Sequence, residues 1–176
     1  KMATPEGTVV ATSDDAVQWT PFEPIEPAGW LFWRPKSNDG GATWYVPAYW
    51  HAHGKSILLR STDGRVWRQV SVIHEGDGND ETDIEFLPDG RLLATARLEI
   101  TPDTILGNYD GQTAIAVAAP PFTEWTTQRS RLTRLDGPNL FAHDGTLYAV
   151  ARYQPDPNGF LTRMGGILSR KRTALY

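Results

Sequence analysis

"DGRLLATAR", Asp89 to Arg97, and "DGTLYAVAR", Asp144 to Arg152, are two copies of one pattern: Asp-Gly, an apolar run, then Arg at the same place. A strand alternates its faces. Leu92, Ala94 and Ala96 therefore share one side, and Leu93, Thr95 and Arg97 the other. In the second copy Leu147, Ala149 and Ala151 oppose Tyr148, Val150 and Arg152. The Leu-Ala-Ala face recurs, and so does the guanidinium on the opposite face. A unit that repeats with a charge held at one position points to a repeat architecture with a site where the copies converge.

Working outward, short alternating runs bounded by Asn, Asp, Gly and Pro dominate the chain, and no apolar pattern is sustained at helical spacing. The runs predict strands at Thr8–Thr12, Trp30–Arg34, Thr43–Trp50, Ser56–Arg60, Trp67–Ile73, Asp83–Leu87 and Arg91–Leu98. Others are predicted at Thr113–Ala118, Trp125–Thr127, Asn139–Phe141, Thr146–Arg152 and Gly166–Leu168. The fold class is all-β. Turns repeat as well. "SDDAVQW" (Ser13–Trp19) and "STDGRVW" (Ser61–Trp67) each follow a strand and read S-x-D-x-x-x-W. "APPFTEW" (Ala119–Trp125) is a degenerate third, and "SRKRTALY", from Ser169, a looser fourth. Their starts differ by about 50 residues, the period of propeller blades. "SNDGGATW" (Ser37–Trp44) matches the turn but falls before a blade's second strand. In such a turn the Asp carboxylate accepts backbone N–H groups, and the Trp folds back onto the sheet.

The 176 residues suffice for one domain, read as a single partial propeller over 1–176. A net charge of −4 gives no footprint for nucleic acid or an anionic membrane. No apolar run has membrane-spanning length. The chain has no cysteine, which excludes a disulfide scaffold, a thiol nucleophile and a thiolate zinc site. These features do not place the protein in a compartment, although secretion or a periplasmic location is compatible with them. No cofactor is expected. His51 and His53, in "WHAHG", have the chemistry of metal ligands, but no carboxylate or third His follows at a helpful spacing, so a hairpin surface is expected and no metal. The aromatic-rich stretch Trp30–Trp50 reads mostly as core. The acidic stretch "EGDGNDETD" reads as a solvated charge run or as part of a site.

These turns resemble the Asp-boxes of the sialidase (neuraminidase) superfamily, and "ETDIEFLPDGRLLATAR", Glu81–Arg97, resembles that superfamily's segment of a Glu, a Leu-x-Asp-Gly-Arg-Leu turn and a strand ending in Arg. The resemblance implies a six-bladed β-propeller, of which this chain supplies roughly three blades. It starts within one blade, covers two and ends within a fourth. The rest of the ring is expected from chain outside this sequence or from a second copy. The resemblance also implies an exo-glycoside hydrolase acting on an acidic terminal sugar, with a Tyr nucleophile activated by a Glu. By position, Glu81 resembles the catalytic Glu. Arg97 resembles one carboxylate-binding arginine, Arg152 is its equivalent one blade on, and Arg34, in "FWRP", loosely matches a third. Two rival readings stand beside this one. One is a non-catalytic propeller that binds carbohydrate or protein. The other is a different propeller glycosidase, such as an arabinan-degrading enzyme.

Overall fold

The computed structural model describes residues 7–25, 28–99, 112–130, 135–153 and 172–176, and these form antiparallel sheets without helix. The predicted strand at Gly166–Leu168 lies outside the described residues. Blade I contributes β1 (Thr8–Val10) and β2 (Glu23–Ile25). Blade II is the meander β3 (Trp30–Phe32), β4 (Trp44–Trp50), β5 (Lys55–Ser61) and β6 (Arg68–Glu75). Blade III is β7 (Thr82–Phe86), β8 (Leu92–Leu98), β9 (Gln112–Ala118) and β10 (Thr126–Ser130). Blade IV contains β11 (Asp136–His143), β12 (Thr146–Tyr153) and β13 (Arg172–Leu175). Strands pair in chain order within each sheet, and β7 lies against both β4 and β11. This is part of a β-propeller, with the first strand of blade III, β7, innermost between its two neighbours.

The Ser61 and Ala119 turns lie at one place, between the third and fourth strands of a blade, and the Ser13 turn joins the two strands of blade I. Asp63 shows why the sequence turns there. Its Oδ1 accepts the N–H groups of Arg65 and Val66 at 2.9 and 2.8 Å and the Ser61 hydroxyl at 2.9 Å. Asp15 makes the same set with Val17, Gln18 and Ser13. Asp39 reproduces it with Thr43 and Ser37 between β3 and β4. These bonds hold all three carboxyls below the usual carboxylate range. The tryptophans differ. Trp67 packs edge-on against Phe32, with centroids 5.6 Å apart, while Trp19 is 62% exposed. The fourth turn does not form in its described part, because Arg172–Leu175 is strand β13, paired with β12.

The alternation of β8 explains how the blades pack. Its Leu92 and Ala94 join Ile84, Phe86, Ala116 and Ala118 in a buried cluster with Leu58 and Ile73 of blade II. Alanines on this face let two sheets approach closely, and each large side chain fully buried there contributes about 1.5–3 kcal/mol. Arg97 therefore points the other way, toward blade IV.

Candidate functional site

The same alternation governs the innermost strand of blade III. Thr82, Ile84 and Phe86 face blade II, where the Thr82 hydroxyl lies 2.7 Å from that of Ser56. Glu81, Asp83 and Glu85 face the other way and form a row of carboxylates. Each meets blade IV or a cation from blade II. Glu81 Oε2 accepts the Gly137 N–H at 2.6 Å. Asp83 Oδ2 accepts the Leu140 N–H at 2.6 Å. Glu85 pairs with Lys36 at 2.7 Å, and the same ammonium donates to the Leu140 carbonyl at 2.7 Å. The Gly137 N–H falls in the register irregularity of β11 between Asp136 and Asn139, and the Leu140 N–H is on the open edge of β11, the outer strand of its sheet.

Four sequence-predicted residues come together around this row. Arg97 Nε donates to Asp80 Oδ1 at 2.7 Å, and its Nη2 donates to the other oxygen of the same carboxylate. Its Nη1 lies 2.9 Å from Glu81 and 3.4 Å from Asp136. Burial works against the charge of Arg97, but the hydrogen bonds and charges of Asp80, with those of Glu81 and Asp136, outweigh it and hold the guanidinium protonated above its ordinary range. Arg152 Nη2 donates to both oxygens of Glu81, at 2.9 and 3.0 Å. Gly137, at φ +58°, holds a left-handed conformation that favours glycine, and Arg152 lies over it, its Nε 3.5 Å from where a Cβ would stand. Arg34 donates to the carbonyl of the next residue, Pro138, and lies 4.0 Å from Asp83. The Trp33 indole donates to that carbonyl at 2.9 Å and stacks under Arg34, 4.9 Å from its Cζ. Exposure separates the three arginines. The side chain of Arg97 is 14% exposed, whereas those of Arg34 and Arg152 are 42% and 43%. Arg97 is held among acids, and the other two each present an edge to solvent.

The acidic stretch is not a solvated run. Asn79, Asp80 and Asp83 are buried because β7 is the innermost strand of its blade. Burial pushes the Asp83 carboxyl up to about 6, against the Leu140 N–H, Lys36 and Arg34, and its Oδ1 has no hydrogen-bond partner. Tyr49 also belongs to this neighbourhood: burial first, then the charges of Asp80 and Glu81, raise its pKa. Sequence reasoning passed over Asp80, Asp83, Asp136 and Tyr49. His53, Asp80 and Glu99 bring ligand atoms within 4.8 Å of one another. Both Asp80 oxygens are already bonded to Arg97, so a cation there would have to displace a guanidinium. We assign no metal to these residues.

No protein-family model matches the chain, and neither does any curated protein sequence. Solved structures do. A protein of unknown function from Dyadobacter fermentans superposes with a TM-score of 0.66 at 14% identity, over 97% of this chain and 52% of that one. A GH32 β-fructofuranosidase from Bombyx mori gives 0.53 at 21% identity, over 83% and 36%. A variant of the NanB sialidase from Streptococcus pneumoniae gives 0.56 at 13% identity, over 83% and 24%. The chain spans about a third of the Bombyx enzyme and about half of the Dyadobacter protein. Its fold is thus one found in propeller glycoside hydrolases, sialidase included.

Proposed function

We propose that this chain supplies the anion-binding part of a glycoside hydrolase site whose substrate ends in an acidic sugar. The observation that carries the reading is the pair of half-exposed guanidiniums, Arg34 and Arg152, seated over the adjacent residues Pro138 and Gly137 of β11. Two planar forks side by side suit a carboxylate. In this reading Arg34 and Arg152 hold the sugar's carboxylate. Arg97 fixes Asp80 and Glu81 in place and is a positioning residue. Glu81 is the proton acceptor for a tyrosine supplied by the rest of the ring; Tyr49 does not fit that role, because burial and the charges of Asp80 and Glu81 raise its pKa. The burial of this cluster keeps its charges effective against a developing oxocarbenium ion.

One observation favours the non-catalytic reading: Glu81 already accepts from Arg97, Arg152 and Gly137 N–H. Two measurements on the native assembly separate the readings. Calorimetric titration with a sialic acid and its neutral methyl ester should give binding of the acid alone. Arg152→Lys should weaken that binding by about 1.5–3 kcal/mol, because an ammonium cannot reproduce the fork. Equal binding of acid and ester would overturn the proposal. Release of an aryl alcohol from the aryl sialoside, lost in Glu81→Gln, supports the enzyme. Acid-selective binding without release makes the chain part of a lectin.

A further inference from the structure

Every arginine whose side chain is described lies within 4.0 Å of a carboxylate, with two exceptions, Arg60 and Arg68. These two are directly opposite one another on β5 and β6. Opposed residues of an antiparallel pair share a face with their Cβ atoms about 5 Å apart, and like charges placed so are destabilising. The other end of the same strand pair obeys the opposite rule, since Lys55 faces Glu75 with an ion pair at 3.2 Å. Both arginines are exposed and line one groove with Ser61, Thr62, Asp63 and Gln69, where Asp63 accepts the N–H groups of Arg65 and Val66 and forms no ion pair with either arginine. An uncompensated cation pair in a chain of net charge −4 calls for an anion from outside.

We propose that Arg60 and Arg68 form a binding site for a tetrahedral oxyanion, the sulfate or phosphate group of an ester. Two guanidiniums in register carry two charges and two forks. A carboxylate brings two oxygens and one charge to them, whereas a tetrahedral group offers at least three oxygens and, as a phosphate ester, up to two charges. The Thr62 hydroxyl is a third donor on the groove wall. The site is separate from the one above. β5 starts beside the hairpin that donates from Gly54 to Asn79, and Arg60 lies five residues further along, about 17 Å away. The inference therefore stands or falls independently of the glycosidase reading.

The test is calorimetric titration with sodium sulfate and sodium phosphate, against sodium acetate and sodium chloride at matched ionic strength. Saturable binding of sulfate or phosphate, at least tenfold weaker in Arg60→Gln and in Arg68→Gln, is expected. Glucose 6-sulfate and glucose 6-phosphate then tell which ester fits better, and either order supports the site. Thermal midpoints give a second readout. In chloride at low ionic strength Arg68→Gln should melt above wild type, because repulsion is relieved, and in sulfate the order should reverse. Equal binding of acetate, binding unchanged in the double variant, or a midpoint order indifferent to sulfate would overturn the proposal.

Discussion

Asp83 is the carboxylate on which the fold presses hardest. Its side chain is fully buried, with one N–H donor on Oδ2, Arg34 at 4.0 Å and nothing on Oδ1. Its pKa rises from 3.8 to about 6. An acid with a raised folded pKa binds its proton more tightly when folded. Its contribution to stability is full below about pH 4 and is lost as pH rises through about 6. A shift of roughly two pKa units corresponds to about 3 kcal/mol. Denaturant titrations from pH 4 to 7 should show wild type losing stability by that order relative to Asp83→Asn. Parallel profiles would mean that Asp83 holds no proton in this range. Glu81, Arg97, Arg152 and Arg34 were legible because a repeated strand end and a resemblance marked them. Asp80 and Asp83 were not, because "GDGNDETD" has the composition of a wet loop. The alternation of Glu81, Asp83 and Glu85 with Thr82, Ile84 and Phe86 was a signal that could have found Asp83. It is a strand pattern with the acids on one face.

Among the elements, the Ser-x-Asp turns teach that one motif need not do one job. Trp67 donates from Nε1 to the Gly64 carbonyl at 3.0 Å and packs with Phe32 on the cluster of Val46, Ala48, Ile57 and Leu59. Trp67→Ala should destabilise by about 2–3 kcal/mol, less than for a fully buried ring. Trp19→Ala, at the same motif position, should stay within about 0.5 kcal/mol of wild type. Chemical denaturation of the two variants decides it, and equal effects would show that the turn rather than the packing sets the outcome. Most strands were legible because Asp-Gly and Asn-Asp punctuation is regular and the apolar alternation is strong. β2 escaped because Pro24 in "EPI" reads as a breaker, yet it pairs at the edge of a two-stranded sheet where a missing N–H is tolerated. β13 escaped because Lys171 and Arg172 made its start look like a charged turn.

At the scale of the molecule the seams on the two sides of blade III differ in kind. Blades II and III meet around a core of apolar side chains, with the Ser56–Thr82 and Lys36–Glu85 contacts beside it. Blades III and IV meet through carboxylates, guanidiniums and backbone N–H groups. Arg97 joins Asp80 and Glu81 of blade III to Asp136 of blade IV. Arg97→Gln leaves Asp80 buried without its counter-charge and should cost about 3–5 kcal/mol, read by denaturant unfolding. A loss below about 1 kcal/mol would show that the seam does not depend on this arginine. The row of acids on β7 also imposes an order of events. Its N–H partners, Gly137 and Leu140, come 56 and 57 residues later in the chain. While a ribosome is still making that stretch, β7 has no acceptable dry environment and its carboxylates must stay in water. Blade III then waits with its inner edge open until β11 emerges, and contacts of such long sequence separation form slowly. A newly made chain therefore carries this open edge throughout the interval between those two strands.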